Sequence, residues 1–462
     1  MPAIITSLCR VQTAISFIKS LDTLRSQGKP VLAFAGRIIP WETVKNDENE
    51  IVVSENFPPD IDNVSSQYLD DVKRNIIYAK PLTSSDAALV TKRYNWESGF
   101  VYTAWRSDVD MTFPDFWIDA GHPYYVYNPQ TDSSGNIQHN VYICISNNNG
   151  AISTDPPTGQ SVEAFSCNDG YRWKYMYDIS EEMASKFLTE TWLPVPIYES
   201  QKTESHLQAE AVTSGGSIDG VFIENPGTGY TKASIEVIGD GEGAVIDAKI
   251  DIYTKTLRSV EIKNAGTGYS TIEMKVNGNG SGGKVSFTVS PINGHGVDIP
   301  TELGARWVMI AAKFVRNENG AFPTSSPYRT LGLITNVFTN DKEYLKSAGV
   351  KFFDEMQIIN ASGDFPFTSK IYGTISKATA YILDKDITGT SGTIYIIGRK
   401  GNFQEGEPIR IEGNSSSGNI IQGGYIESNI NHLSGDILYL ENMTRVMRNR
   451  TQSELFLLTI GF

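Results

Sequence analysis

The sequence has little of what marks secreted, membrane-spanning or disulfide-stapled proteins. It contains only three cysteines in 462 residues, and Cys9, Cys144 and Cys167 are too far apart for a C-x-x-C motif. Neither a disulfide framework nor a zinc site is therefore predicted. No apolar run reaches the roughly 18 residues that a membrane span requires. Residues 1–10 also lack the basic and apolar regions of a secretory signal, so we predict a protein that is made in a cytoplasm and has no membrane partner.

Positive charge is in deficit as well. The chain has 39 lysine and arginine residues against 53 aspartate and glutamate residues, which gives a net charge of −14. A surface of this sign repels phosphate groups and does not neutralise them. We expect no direct contact with nucleic acid.

Motifs for catalysis and for cofactors are also missing. The five histidines are scattered, and neither H-E-x-x-H nor G-x-S-x-G occurs. His295 precedes Asp298 by three residues, as a general base and its orienting carboxylate would, but a turn with a locally bonded imidazole explains the same spacing. We predict no enzyme activity, no cofactor and no metal. Paired carboxylates for glycoside cleavage leave no spacing signature, so that alternative stays open.

The chain is rich in the residues of β-structure and of turns. It contains 41 glycines, 20 prolines and 22 tyrosines, and short β-branched or aromatic runs end at Asn, Asp, Gly or Ser. This composition predicts an all-β, multi-domain β-sandwich architecture with few short helices. One helix is predicted around Val11, Ala14 and Ile18, and another after Asp178, where Glu181 would complete a capping box.

A two-fold repeat with a period of 39 residues lies between residues 205 and 290. Each copy predicts three strands joined by a G-T-G-Y turn and a glycine-rich turn. We interpret the repeat as an inserted β-module. Its matching positions are Val221, Ile223, Asn225, Gly227, Gly229 and Tyr230 in the first copy, and Val260, Ile262, Asn264, Gly266, Gly268 and Tyr269 in the second.

The glycine clusters of the repeat allow two other interpretations. Gly278, Gly280 and Gly283 spell G-x-G-x-x-G, but a strand pattern follows where a dinucleotide site needs a helix, which favours hairpin turns. A calcium site is the second alternative, because acidic residues gather in the first copy. They do not recur in the second copy, as the ligands of a metal-binding repeat would. The acidic residues are Asp240, Glu242, Asp247 and Asp251.

Four aromatic residues alternate along one predicted strand. Tyr171, Trp173, Tyr175 and Tyr177 would share one face, with Arg172, Lys174 and Met176 on the other. Such a face belongs either to the core or to a surface that binds a partner. A platform for carbohydrate is a third alternative.

Several segments follow one another along residues 30–200 and 290–462, on both sides of the repeat. They are Lys92–Tyr102, Val141–Cys144, Ser153–Gly159, Asp169–Tyr177, Lys186–Leu188, Leu193–Val195, Gly294–Asp298, Glu302–Ala305, Tyr328–Ile334, Gly435–Asn442 and Gln452. Together these segments resemble the T-even-type baseplate wedge protein family of contractile-tailed bacteriophages, the family encoded by gene eight.

This resemblance implies a non-enzymatic structural protein of the virion. Such a protein would form a homodimer and join other baseplate wedge proteins in the tail baseplate, after synthesis in the host bacterial cytoplasm. The resemblance divides the chain into a core in two parts, 30–204 and 291–462, interrupted by the 205–290 repeat. Residues 1–29 form a predicted helical extension outside the core.

Basic residues cluster near the end of this acidic chain. Arg445, Arg448 and Arg450 are solvated arginines or, as a hypothesis, contacts to an acidic patch on a wedge neighbour, because guanidinium groups pair well with carboxylates. Two other protein classes stay open at this stage. One is a tail-associated protein that binds or cleaves glycans, and the other is a secreted adhesin, which would need an export signal.

Overall fold

The fold is given by a computed structural model, which describes residues 4–61, 65–112, 123–213, 215–345, 350–449 and 451–462. Strands far outnumber helices, which confirms the predicted all-β class. Pairs such as β1 with β18 and β7 with β9 are antiparallel, so one face of such a sheet can be apolar while the other faces water. The alternating sequence patterns reflect this arrangement.

In the described residues the helices are few and mostly short. The N-terminal helix forms where it is predicted. The second predicted helix also forms, but Ser180 is its N-cap and accepts from the Met183 backbone N–H, so the predicted capping box from Asp178 is wrong. The α-helices are α1 Ser7–Ser26, α2 Ser66–Arg74, α3 Glu181–Phe187, α4 Glu204–Val212 and α5 Ile299–Glu302, and the 3₁₀ turns are Ser84–Asp86, Asn148–Gly150, Glu199–Gln201 and Glu318–Gly320.

The strands are β1 Leu32–Gly36, β2 Val44–Lys45, β3 Ile51–Val53, β4 Ile76–Pro81, β5 Ala87–Lys92, β6 Tyr125–Thr131, β7 Ile137–Ser146, β8 Phe165–Ser166, β9 Arg172–Ile179, β10 Trp192–Val195, β11 Ile218–Thr228, β12 Ala233–Gly239, β13 Val245–Ile250, β14 Leu257–Asn264, β15 Ile272–Gly278, β16 Ser281–Val289, β17 Trp307–Val315, β18 Tyr328–Thr335, β19 Val350–Lys351, β20 Asp354–Ser362, β21 Lys370–Gly373, β22 Thr379–Thr388, β23 Ser391–Lys400, β24 Pro408–Ile411, β25 Ser417–Ile426, β26 Asp436–Val446 and β27 Ser453–Gly461.

The chain forms two compact units. Unit 1 consists of Met1–Ile18, Ala88–Met309 and Leu458–Phe462, and unit 2 consists of Lys19–Ala87 and Ile310–Leu457. The chain therefore passes from one unit to the other several times. The division of the chain into a two-part core and an insertion stays a prediction.

Unit 2 contains a five-stranded sheet and a closed six-stranded barrel, which the sequence analysis does not predict. The sheet has the order β19-β4-β1-β18-β26, and the barrel runs β20-β23-β22-β21-β24-β25. Closure removes the exposed edges of a small sheet and lets its inward side chains form a core. The barrel core includes Met356, Ile358, Ile371, Ile382, Ile394, Ile396, Ile409 and Ile420, all at most 1% exposed.

Unit 1 contains the sheet β6-β7-β9-β8 and the repeat. The core of the sheet is mainly aromatic. Aromatic side chains bury a large apolar area and also attract one another when they pack edge to face. The buried cluster consists of Tyr102, Val126, Tyr142, Cys144, Tyr171, Trp173, Tyr175 and Ala209.

Each copy of the repeat forms three strands, as predicted, and the two copies are related by an approximate two-fold axis. Strand β11 pairs with β16, and the equivalent strand β14 pairs with β13. The central strands β12 and β15 pair with each other. Their register places Glu236 opposite Lys275, which are equivalent positions in the two copies. The axis therefore passes through this pair.

The glycines of the repeat make room for two buried tyrosines. Tyr230 in the first copy packs under glycines of the second, and Tyr269 packs under glycines of the first. A Cβ on Gly280 would lie 2.5 Å from Cγ of Tyr230, and a Cβ on Gly241 would lie 2.5 Å from Cγ of Tyr269. Close packing across the axis, and not a ligand, accounts for these glycines.

We predict that Gly280→Ala lowers the free energy of unfolding by about 1–3 kcal/mol, the usual cost of overfilling a packed site. The new Cβ would collide with both the Tyr230 ring and the Thr228 carbonyl oxygen, each 2.5 Å away. Urea unfolding followed by circular dichroism measures the change. The control is Gly135→Ala, which has no neighbour within 4 Å and tests only the backbone strain of a positive φ. Wild-type stability of Gly280→Ala would contradict this packing.

Candidate functional site

Segments that carry the resemblance meet beside the aromatic sheet of unit 1. Segment 92–102 pairs with segment 153–159, because Gly99 N–H donates to the Ser153 carbonyl and Ser153 N–H donates to Phe100. The Asp169 carboxylate joins a third segment by accepting from the hydroxyl of Ser153 at 3.0 Å and from the N–H of Thr154 at 2.8 Å. These polar residues fix loops on one another, which is a structural role.

The four alternating aromatic residues are all buried, each at 0% exposed. Tyr171 stacks on Trp173 with ring centroids 5.7 Å apart, and Trp173 meets Tyr102 edge to face. A bulge in the pairing of β7 with β9 falls just before Tyr177, which instead donates its hydroxyl to the Pro194 carbonyl. The structure places these side chains in the interior, so none of them can serve as a platform for a saccharide or for a partner protein.

The opposite side of β9 leads to a buried group of charges. Lys174 is 6% exposed and donates to the Val162 carbonyl, and burial lowers the pKa of its ammonium group. Arg172 donates to the Asp219 carbonyl at 2.7 Å. Asp219 belongs to β11, so this contact joins the aromatic sheet to the first strand of the repeat.

At the centre of this group is His295, which is 4% exposed. Its Nε2 lies 2.8 Å from Oδ2 of Asp219, and its Nδ1 lies 2.8 Å from Oε2 of Glu302. Burial would lower the pKa of the imidazole, but the two carboxylates, Asp219 first, raise it to about 10. His295 is therefore an imidazolium at neutral pH that donates from both nitrogens, and it has no free nitrogen with which to act as a base.

The Glu302 carboxylate and the His295 ring each have a further contact. Oε1 of Glu302 accepts from the Gly296 N–H at 2.9 Å, and the Trp105 ring lies edge to face with the imidazole at 4.7 Å. Asp298, the partner suggested by the sequence, instead caps α5 by accepting from the Thr301 N–H at 3.3 Å. The pairing of His295 with Asp298, which the sequence allows as an alternative to a turn, does not form, and the imidazole bonds to Asp219 and Glu302 and not to local backbone groups. Its true partners were missed because Asp219 is 76 residues away and Glu302 had no spacing signal.

A second buried histidine lies next to this group, and its ring is neutral. His206 Nε2 donates to the Gly296 carbonyl at 3.2 Å, and burial lowers the pKa of the imidazole. The buried environment alone therefore favours the neutral ring. The charge on His295 depends on its two carboxylates.

Asp240, one of the acidic residues of the repeat, is used to join two of its turns. Asp240 accepts from the backbone N–H groups of Ser270 and Thr271 at 2.9 Å each, and the hydrogen bond from the Ser270 hydroxyl lowers its pKa. The equivalent residue of the other copy, Asn279, accepts from Thr231 N–H at 3.0 Å. The side-chain oxygen of Asn279 accepts the same kind of backbone hydrogen bond as the Asp240 carboxylate. The contact therefore does not need a negative charge, which explains why the second copy lacks one. Among the described residues, no group of three or more potential ligands is arranged to hold a metal ion.

The three arginines near the end of the chain have different positions. Arg445 is exposed, and Arg450 lies outside the described residues. Arg448 is buried, with its guanidinium 3.5 Å above the Phe322 ring. It forms a two-pronged ion pair with Glu454 at 3.1 Å and donates to the Phe322 carbonyl at 2.8 Å. The expectation that Arg448 contacts a partner is wrong, because its donors are already used inside unit 2.

Comparisons with known proteins give no family for the chain. No family model matches it, and no curated protein is significantly similar to it. In the ranges that the structure describes, no helix has both the length and the apolar content of a membrane span.

We predict that His295→Gln lowers the free energy of unfolding at pH 7 by about 3–5 kcal/mol, because it leaves two buried carboxylates without their cation. The raised pKa of His295 also sets the pH dependence. Its stabilisation is complete below the unfolded pKa of about 6.5 and is lost as the pH rises towards about 10. Urea unfolding at several pH values should therefore show the difference between wild type and variant shrinking above neutral pH. A pH-independent difference for His295→Gln would contradict the assignment.

We also predict that Arg448→Ala lowers the free energy of unfolding by about 3–5 kcal/mol, because Glu454 would be left buried and unpaired. Arg445→Ala is the matched control, and as an exposed substitution it should change stability by no more than about 0.5 kcal/mol. Thermal or urea unfolding distinguishes the two. Equal stability of both variants would show that the arginines are equivalent and solvated.

Proposed function

We propose that this protein is a structural component of a contractile phage tail, a baseplate wedge protein that forms homodimers and joins neighbouring wedge proteins. The resemblance of its segments to the gene-eight family is the origin of this proposal. The proposal includes a location in the virion, at the tail baseplate, after synthesis in the bacterial cytoplasm.

The observation that supports the proposal is that the resembling segments bond to one another although they are far apart in sequence. In unit 1, segments 92–102, 153–159 and 169–177 are interlocked by backbone and carboxylate hydrogen bonds. In unit 2, segment 328–334 pairs with segment 435–442, with Leu331 opposite Glu441 and Leu333 opposite Tyr439. Segments far apart in sequence thus support one another within each unit. Such residues build a scaffold, which is what an assembly protein needs.

The chemistry of the buried histidine favours the same function. A general base needs a free nitrogen near its substrate, whereas both nitrogens of His295 are bound to carboxylates. The arrangement fixes the first repeat strand to the resembling segments 294–298 and 302–305. We infer that this site works as a structural clamp.

The glycan alternative receives no support from the aromatic residues that suggested it. Trp173, its candidate contact, is 0% exposed and lies inside the aromatic cluster. A saccharide platform requires an accessible ring face. We therefore do not propose a glycan function, and a negative immunogold result would be the reason to return to it.

Immunogold electron microscopy of phage particles tests the proposal. An antibody against residues 205–290 should place gold at the end of the tail distal to the capsid, since the repeat carries many exposed side chains. A second antibody, raised against the whole chain, controls for a masked epitope. Particles that neither antibody labels would contradict a virion location and would redirect the search to saccharide binding.

A further inference from the structure

The end of the β13–β14 hairpin in the repeat presents a rigid group of exposed apolar and basic side chains. Ile252 and Tyr253 are 67% and 89% exposed, the latter the largest exposure among the apolar side chains of the repeat. Lys255 and Arg258 follow them along the chain, and both are exposed. We call these four residues the basic tip. In the described part of the chain, no carboxylate lies within ion-pair distance of these two cations; backbone hydrogen bonds from Thr254 and Tyr253, and to a smaller extent the charge of Arg258, lower the pKa of the neighbouring Asp251.

The basic tip is held in one conformation. The Asp251 carboxylate accepts from the N–H of Tyr253 at 2.8 Å and of Thr254 at 3.0 Å, and Lys255 N–H donates to the Asp251 carbonyl. The Lys255 carbonyl in turn accepts from Tyr230 N–H, which anchors the tip to the buried tyrosine. A rigid tip loses little conformational entropy when it binds. Full exposure of a tyrosine and an isoleucine there is unexplained by the fold of the repeat.

A second exposed hairpin, in unit 2, has the opposite charge. Strands β2 and β3 form an isolated two-stranded ribbon. Such a ribbon is only marginally stable in water unless another surface packs on it. We call residues 42–57 the acidic hairpin. Its exposed apolar residues are Val44, Ile51, Val52 and Phe57, and its exposed acidic residues are Glu42, Asp47, Glu48 and Glu50.

The acidic hairpin is also preorganised. The Asn46 side chain accepts from the N–H of Glu48 at 3.1 Å and of Glu50 at 2.8 Å, which fixes the turn. At the other end, Glu55 accepts from buried Arg329 at 2.8 Å and 3.0 Å. The backbone of the turn and the Glu55 end of the hairpin are thus fixed, while the apolar side chains stay exposed.

We propose that the basic tip of one copy of this protein docks on the acidic hairpin of a second copy. The two surfaces match in charge, and both offer apolar side chains that a contact would remove from water. Tyrosine is among the residues that contribute most binding energy in protein interfaces. In a closed dimer the contact occurs twice, because a two-fold axis repeats each contact. The proposal rests on the self-association proposed above and assigns the surfaces that perform it.

Two charge-reversed variants test this contact. The tip variant is K255E/R258E and the hairpin variant is D47K/E48K. Each gives one copy two surfaces of like charge, so each alone should dimerise at least about tenfold more weakly than wild type, as lost charge pairs do in interfaces. Sedimentation equilibrium of the purified full chain measures the dissociation constants. Circular dichroism should show unchanged folding, since all four side chains are exposed.

Mixing the two variants gives the deciding result. In the heterodimer, the acidic tip of one variant meets the basic hairpin of the other at one contact, and an unchanged basic tip meets an unchanged acidic hairpin at the second contact. Both contacts then join opposite charges, so a heterodimer should form with near wild-type affinity. Native mass spectrometry distinguishes it from either homodimer by mass. The matched control is K263E/K284E, which makes the same change in charge at exposed positions of the repeat outside the tip, and it should dimerise like wild type. Y253A should also weaken the dimer, without rescue by mixing.

The outcomes separate this inference from the proposed function. A wild-type chain that stays monomeric would contradict the proposed self-association, and the inference would fall with it. A wild-type dimer that both variants form equally well would overturn the inference and leave self-association standing. Weakened variants that the mixture does not restore would show that tip and hairpin bind other surfaces, which also overturns it.

Discussion

The organisation of unit 1 depends on one buried cation, the imidazolium of His295. Asp219 and Glu302 would repel each other in the interior if that cation were absent, and burying either carboxylate alone is costly. Each oxygen that faces the ring is matched by an N–H at 2.8 Å. The first strand of the repeat and helix α5 are therefore brought together by charge, whereas the aromatic cluster beside them is held by apolar packing. His206, close by, shows that burial without carboxylates favours the neutral ring.

The segments that carry the resemblance differ in how deeply they are buried. Some of the segments that resemble the baseplate family, such as 141–144, 193–195 and 328–334, are fully buried, whereas others, such as 92–102 and 435–442, are largely at the surface. Large exposed apolar residues occur in two of the resembling segments, at Phe100 and Leu438, and also outside these segments, at the end of the repeat and in the hairpin between β2 and β3. In an assembly protein, a shared interior would preserve the scaffold while exposed loops select partners. Likeness in the interior therefore says little about which neighbours such a protein meets.

Local patterns in the sequence predicted local structure well. The 39-residue period gave six strands, and the alternating aromatics of 171–177 lie on a buried strand. Contacts between distant residues could not be predicted, since nothing near His295 points to Asp219. Arg448 was misjudged for a related reason: its spacing suits a solvated run, and only the folded chain brings the Phe322 ring and carbonyl to its guanidinium. The barrel was also missed, because strand alternation does not specify whether a sheet closes.

The pairing at the centre of the repeat limits how alike its two halves can become. Glu236 and Lys275 are equivalent positions that face each other across the approximate axis. Like charges directly opposite on neighbouring strands are destabilising. Two identical halves would place glutamate against glutamate or lysine against lysine, so neither half can be replaced by a copy of the other without that cost. The duplicated module behaves as a built-in heterodimer, in which divergence at the axis helps to hold the two copies together.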